Sequence, residues 1–381
     1  MSSRDFLRRM PEASRELRRP ISLWQKFHID LPLLILLLAL TAFGLVVLYS
    51  ASGQELYYVK RQGVFFLLAY GTMFAVAQIN IHVFQRWAPW VYLGGIVLLV
   101  LVIFMGIGAK GAQRWLSLGG FRFQPSEILK LAVPIVVASY LAGRVLPPRF
   151  GQVLMTLVLI FVPTYLIWKQ PDLGTSILIA SSGLVVLFMA GLRWRYIGGA
   201  VGAVLTGAWP MWQFVLHDYQ RQRILTMFDP EADKLGAGWN IIQSKTAIGS
   251  GGVGGKGWLQ GTQSQLDFLP ESHTDFIIAV LAEEFGLMGV LILMGLYLLI
   301  IARGLMIALG AQDTFGKLLA SGIIVTFFIY IFVNMGMVAG LLPVVGVPLP
   351  MVSLGGTSIV TLMTGFGILM AIGTERRRVT A

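Results

Sequence analysis

Long unbroken runs of apolar residues, separated by short polar breaks, occupy almost the whole chain. The runs reach about 18 residues or more, the length of helix that crosses roughly 30 Å of hydrocarbon. Inside lipid every backbone N–H and C=O must be satisfied internally, which leaves helices or a closed barrel. The apolar positions are continuous rather than alternating, and that selects helices. About ten spans are predicted, at roughly 31–50, 62–80, 89–108, 126–144, 151–168, 172–190, 196–216, 275–302, 317–342 and 350–373. The expected fold class is all-α: a polytopic membrane protein with a single transmembrane domain over 31–373 and polar tails at 1–30 and 374–381. No long-period repeat is visible.

One segment departs from the pattern. From 217 to 275 the chain is polar, and it ends Gly261-Thr-Gln-Ser-Gln-Leu-Asp-Phe-Leu-Pro-Glu-Ser-His-Thr-Asp275. It collects acids, amides, a histidine and glycines and delivers them to the start of the next apolar run. A membrane chain builds a chemical site at its surface in this way. Two shorter polar breaks matter as well: 108–126, with Arg114-Trp115 and Gln124-Pro125-Ser126-Glu127, and 343–356, with Pro348, Pro350 and Gly355-Gly356. The last break interrupts the start of the final span, and such interruptions are tolerated where the backbone is covered or lines a cavity.

Composition adds sidedness. The chain is 56% hydrophobic and 12% charged, with mean hydropathy +0.77 and a formal net charge of +11. The basic residues are dispersed over loops that flank spans, which fits topology and anionic lipid and argues against nucleic acid as a partner. Placing the N-terminus inside puts Arg86, Arg144, Arg149, Arg193, Arg195, Arg303, Lys317 and both basic tails on one side. The short loops opposite then hold Lys60, Arg61, Lys110, Arg114, Arg122 and Lys169. The positive-inside bias therefore predicts cytoplasmic termini and a 217–275 loop facing the periplasm or cell exterior. No nucleotide is available there, so a substrate handled by the loop must carry its own activated bond or need none. The first thirty residues read as a cytoplasmic tail and not as a signal peptide. With no cysteine, disulfides and cysteine-held metals are excluded.

Several residues invite chemistry. Gly249, Gly251 and Gly254 have dinucleotide-fingerprint spacing, and Gly255-Lys256 resembles a phosphate loop. However, Gly257 stands where Ser or Thr is needed, and no βαβ unit surrounds them. They are expected to form a flexible loop or to bring backbone amides to a ligand. Glu127 and Lys130 lie one turn apart near the outer end of the fourth span, with Pro125 and Ser126 as the helix start. They are either an ion pair at the membrane edge or a phosphate-facing lysine held by its carboxylate. Asp275 opens the eighth span, as part of a capping box beginning at Ser272 or as a general base near a lipid-linked head group. Asp267, Glu271 and His273 crowd the same place. His273 is a second acid/base or a structural hydrogen-bonding residue. At least one of Glu283 and Glu284 should face the bundle interior. Trp115 beside Arg114 is an interface anchor or a sugar-stacking or lipid-guiding residue. Lys169 and Asp172 read as a pair at the outer surface.

Together these segments resemble the SEDS proteins (shape, elongation, division and sporulation), the peptidoglycan polymerases of the RodA and FtsW types. The resemblance covers nearly the whole chain. It is carried by Gln124-Pro-Ser-Glu127 with Lys130, Gly236-Ala-Gly-Trp-Asn-Ile-Ile-Gln-Ser-Lys245, Ala247-Ile-Gly-Ser-Gly-Gly252, Phe268-Leu-Pro-Glu-Ser-His-Thr-Asp-Phe276 and Gly346-Val-Pro-Leu-Pro350. Gly257-Trp-Leu-Gln-Gly-Thr-Gln-Ser-Gln265 looks like the RodA branch. Leu354 departs from the family's usual tyrosine, a change expected to alter local packing only.

The resemblance implies ten transmembrane helices in the cytoplasmic (inner) membrane. It implies glycosyl transfer on Lipid II, the undecaprenyl-pyrophosphate-linked disaccharide pentapeptide, with an undecaprenyl-linked glycan chain as the donor. Asp275 matches the family's catalytic aspartate, and Glu127, Lys130, Asp267 and Trp115 match functionally sensitive positions. A class B penicillin-binding protein would be the partner, with other elongation-complex membrane proteins. In this chemistry Asp275 takes the proton of the acceptor 4-hydroxyl, with Glu271 and His273 in support. Lys130, Arg114, Arg221, Arg223 or Lys245 neutralises the departing pyrophosphate. No metal-ligand spacing is present, so a divalent cation such as Mg2+ would enter through the diphosphate. A Lipid II transporter and a scaffold of the wall-building complex are the competing classes.

Overall fold

The computed structural model describes residues 27–109, 112–118, 121–216, 218–233, 236–265 and 271–375. Most of both predicted tails, and Asp267, lie outside the described residues. Ten described helices have 17 residues or more: α1 (Leu31–Ala51), α2 (Leu56–Ala77), α3 (Ile81–Met105), α4 (Pro125–Ala142), α5 (Phe150–Trp168), α6 (Leu173–Met189), α7 (Trp194–Pro210), α11 (Ile277–Gly310), α12 (Thr314–Val338) and α13 (Gly356–Thr374). Seven of them, α1, α3, α4, α5, α11, α12 and α13, are long and apolar enough to cross a membrane. The chain is a multi-pass membrane protein.

Helix starts are set by short acceptors. Asp30 caps α1 through Leu33 N (3.0 Å), Asn80 caps α3 through His82 N (2.9 Å) and Asp313 caps α12 through Gly316 N (2.9 Å). Each accepts from one of the orphan N–H groups of a first turn. Asp30 also takes the Arg303 guanidinium with both oxygens, at 3.0 and 2.6 Å, and so ties the start of α1 to α11. Two predicted spans began late. α2 starts at Leu56 and α3 at Ile81, because their first turns carry Lys60-Arg61 and His82, Gln85 and Arg86. These polar residues are helical yet lie at the surface, and hydropathy alone discards them.

α4, α12 and α13 form the interior: about two thirds of the residues of α4 and more than half of those of α12 and of α13 are buried. α12 packs on α4, α6 and α11, and α13 packs on α2, α4, α11 and α12. At α7, by contrast, no described residue is buried.

The polar breaks are more structured than expected. Residues from the 108–126 break fold into a three-stranded antiparallel sheet, β1 (Ile107–Ala109), β2 (Ala112–Leu118) and β3 (Phe121–Phe123), a local exception to the all-α expectation. The 217–275 segment contains α8 (Asp218–Phe228), a 3-10 turn (Pro230–Asp233), α9 (Ala237–Gly251) and α10 (Thr262–Gln265).

The glycines at 249–257 are not a flexible loop. α11 is broken at Gly286 (φ 63°, ψ −160°), nine residues after its start at Ile277. The break orphans backbone groups on both sides, and the 252–257 segment satisfies them. Lys256 N and Gly257 N donate to Glu283 O and Glu284 O, both at 3.0 Å. Leu287 N and Met288 N donate to Gly252 O (3.0 Å) and Val253 O (3.2 Å). The approach is so close that a Cβ on Gly251, Gly255 or Gly286 would overlap opposing backbone. Side chains complete the junction. The buried Glu283 carboxylate accepts from Lys256 Nζ (2.7 Å), Thr262 N (2.7 Å) and Gln263 N (3.0 Å), and Ser50 Oγ donates to Glu284. Both glutamates therefore face the interior and hold the loop. Gly255→Ala should lower stability by about 3 kcal/mol, since Gly255 sits at φ +78° and its Cβ would strike Glu284 O. A thermal melt of the purified protein checks this; an unchanged melting temperature would disprove the docked loop.

Candidate active site

Four segments converge at the end of the bundle where α4 and α6 begin and α12 ends. The first is the start of α4. Pro125 occupies the first turn and Gln124 precedes it as the N-cap residue, so Ser126 lies inside the helix and is not the cap expected for it. This start points Glu127 and Lys130 to one side. Lys130 Nζ donates to Glu127 Oε1 at 2.7 Å and lies 5.6 Å from the centre of the Tyr330 ring of α12. Glu127 is only 8% exposed, so the pair is an interior one.

The second segment is β2, which carries Arg114 and Trp115. Arg114 donates from Nη2 to Pro171 O (2.6 Å), and its Nε lies 3.5 Å from Asp172 Oδ2. Trp115 is half-buried beside it, opposite Ile107 in the sheet. The expected Lys169–Asp172 surface pair is not formed. Lys169 lies over the Tyr165 ring at 5.1 Å. Asp172 is buried, caps α6 through Thr175 N (3.2 Å) and accepts from Gln124 Nε2 (3.3 Å). One carboxylate thus ties β2, the start of α4 and α6. Sequence reasoning missed this role. The available signal was an aspartate immediately before Leu-Gly-Thr, a cap pattern; its other partners come from distant segments. Asp172→Ala should cost about 1–3 kcal/mol through the lost cap and the unpaired Arg114. Thermal melts against wild type read the loss, and an equal melting temperature would remove Asp172 from this junction.

The third segment is the turn Glu271–Phe276. α11 begins at Ile277 after Phe276, with no side-chain cap, so the Ser272–Asp275 capping box is not formed. Ser272 Oγ instead donates to Ala51 O (3.0 Å). Thr274 Oγ1 donates to Glu271 Oε2 (2.7 Å), the His273 ring lies 5.1 Å from that of Tyr58, and Leu354 N donates to His273 O (3.0 Å). Glu271 and His273 thus shape the turn that presents Asp275. The main-chain oxygen of Asp275 accepts from Asn334 Nδ2 at 2.9 Å.

The fourth is the irregular 343–355 stretch before α13. Gly346 (φ +70°) comes so close that a Cβ there would stand 3.4 Å from Asp275 Oδ2. Tyr330 and Asn334 are one turn apart on α12, about 6 Å along its axis. The ionic group and Asp275 are therefore attached to successive turns of one helix.

The loop cations have partners of their own. Arg221 donates to Gln213 O (2.9 Å), just before the loop, and sits 3.6 Å from Asp218, and Arg223 lies over the Tyr219 ring at 5.8 Å. Lys245 reaches the C-terminal end of α12, where a Cβ on Gly340 would stand 2.6 Å from its Nζ, a position that favours a cation. Among the described residues no three His, Asp or Glu side chains converge as a metal site, and Glu127 and Asp172 each already face a cation. An apolar groove of about 330 Å3 between α3, α4 and α13 runs from Glu127 past Trp87, Val91, Leu131 and Val360. Charged and polar groups thus gather at one end, with an apolar channel leading into the bilayer region.

The same arrangement of segments occurs in known proteins. A family model described as cell cycle protein, for the FtsW, RodA and SpoVE group, matches residues 31–378. The chain is 56% identical over 354 residues to the peptidoglycan glycosyltransferase MrdB of Escherichia coli (strain K12), covering 93% of this chain and 96% of MrdB. It is 41% identical over 360 residues to the probable peptidoglycan glycosyltransferase FtsW of Geobacter sulfurreducens, covering 91% and 95%. A chain from a structure on the coordination of polymerization and crosslinking by a peptidoglycan synthase complex superposes with a TM-score of 0.80 at 31% identity, covering 92% and 98%. The crystal structure of the rod shape determining protein RodA of Thermus thermophilus superposes with a TM-score of 0.69 at 28% identity, with the same coverage. With the match running from α1 through α13 and the identity to MrdB, which is of the RodA type, above that to FtsW, the chain belongs to the FtsW/RodA/SpoVE family, on its RodA side.

Proposed function

We propose that the protein is the peptidoglycan glycosyltransferase of cell elongation and rod shape, joining Lipid II disaccharides into glycan chains at the outer face of the cytoplasmic membrane. The observation that carries this reading is the attachment of Asp275 and of the Lys130–Glu127 pair to successive turns of α12, in a chain 56% identical to a named peptidoglycan glycosyltransferase. Such a site suits a substrate with a sugar, a diphosphate and a long apolar tail. The sugar lies at Asp275, the diphosphate near Lys130 and Arg114, and the tail along the apolar side.

Asp275 takes the proton from the acceptor sugar 4-hydroxyl. The freed oxygen pair forms the new bond to the donor's anomeric carbon, with inversion. The bond from that carbon to the diphosphate breaks, and undecaprenyl pyrophosphate leaves with its electrons. Lys130 and Arg114 offset the charge that develops on the diphosphate, where fixed cations act most strongly. A divalent ion such as Mg2+ would be held by the substrate's diphosphate and would offset its charge.

Ten spans, one transmembrane domain over 31–373, cytoplasmic termini and an extracytoplasmic 217–275 segment complete the proposal. The partner is a class B penicillin-binding protein, which crosslinks the chains made here. The test is polymerisation of purified Lipid II by reconstituted protein, with a partner whose transpeptidase site is inactivated. Glycan chains and released undecaprenyl pyrophosphate are expected. Movement of Lipid II across liposome membranes without chain formation would make the protein a transporter, and neither activity would leave a scaffold.

A further inference from the structure

Asn334 is fully buried near the end of α12, and its single amide nitrogen serves two separate chain segments. Nδ2 donates to Asp275 O at 2.9 Å and to Val347 O at 2.7 Å. Both partners are main-chain carbonyls, which only accept, so the nitrogen and not the oxygen of the amide faces them. Neither segment is helical. Asp275 closes the 271–276 turn, and Val347 follows Gly346 in the irregular stretch before α13. Gly346 is the residue whose Cβ would stand 3.4 Å from Asp275 Oδ2, and its φ of +70° is left-handed. One amide therefore fixes Asp275 itself and the neighbour of the residue its carboxylate faces.

We infer that Asn334 is a positioning residue, setting the Asp275 carboxylate against Gly346 by clamping both segments to α12. The inference rests on the reading of Asp275 as the general base. α12 also places Tyr330 against Lys130 one turn away, so the same rigid helix sets the base relative to the cation. Few side chains can replace Asn here. Aspartate has nearly the same shape but turns an acceptor and a charge toward two carbonyls. Leucine fills similar space and leaves both carbonyls without a donor in a buried place. Serine offers one donor where two are used.

The experiment measures kcat and KM for Lipid II, with the inactivated partner present, for wild type, Asn334→Asp, Asn334→Leu and Asn334→Ser. In the Asp and Leu variants kcat should fall about 10²-fold, the scale of a small misplacement of a reacting group, with KM within about twofold of wild type. Serine should fall between. The double variants with Asp275→Asn should lose nothing beyond Asp275→Asn alone, because Asn334 acts through that carboxylate. Wild-type kcat in folded Asp and Leu variants would overturn the inference, as would a loss confined to KM or a further loss in the double variants. Absence of folded protein in all three single variants would make Asn334 a folding residue and overturn it too. A wild type that makes no chains would instead remove the reading of the site as a polymerase.

Discussion

Asp275→Asn is expected to slow chain formation about 10²- to 10⁴-fold, the contribution of a positioned general base. The protein should still fold. The helix after Asp275 starts at Ile277 without a side-chain cap, so no cap is lost with the carboxylate. The hydrogen bond from Asn334 goes to the main-chain oxygen and survives the substitution. Asparagine also keeps the side-chain volume beside Gly346. Glycan chain assays on Lipid II, run beside thermal melts and size exclusion, separate the two effects. Chains at the wild-type rate would end the assignment of Asp275 as the base. Loss of the folded protein would show that the carboxylate is needed for the turn instead.

Lys130→Met should lose both activity and stability, and the double variant separates them. Lys130 Nζ sits 2.7 Å from a Glu127 carboxylate that is 8% exposed. Removing only the lysine leaves a buried, unpaired charge, at a cost of about 3–5 kcal/mol. Glu127→Gln with Lys130→Met replaces the pair by neutral groups of similar size, and much of the lost stability should return. Activity should not return. A missing preorganised cation opposite developing charge costs about 10²–10³ in rate, and neither substituted residue supplies one. Melting temperatures and kcat for wild type, single and double variants decide this. A double variant that polymerises at the wild-type rate would reduce the pair to an interior tie between turns of α4.

Local patterns in the chain were read correctly where the cause is local. The i,i+3 spacing of Glu127 and Lys130 forms the pair it suggests. The break around Pro348, Pro350 and Gly355 leaves 343–355 irregular before α13. Reading failed where the partner lies far along the chain. Ser126 is a local exception: it resembles a cap, but Pro125 already occupies the first turn and Gln124 precedes it. Ser272 looked like the start of a capping box, but its hydroxyl is taken by Ala51 O. The glycines from 249 to 257 looked mobile because nothing nearby in sequence contacts them. Gly251 and Gly255 are packed against a helix break more than thirty residues away, at Gly286.

Sequence by itself determined the solvent, the helical class and the family of this protein. Runs of apolar residues that long admit only helices in lipid, and the motif set is specific enough to place the chain in its family. Tertiary structure alone decided which polar groups from distant segments work together. Asp172 joins Arg114 and Gln124, Glu283 holds Lys256 and Thr262, and Asn334 clamps Asp275 to Val347. The physical reason is common to all three. A buried carboxylate or amide must find its hydrogen-bond partners, and in a helical bundle those partners come from whichever helix or loop packs opposite. Hydropathy and spacing describe one segment at a time and carry no record of that neighbour.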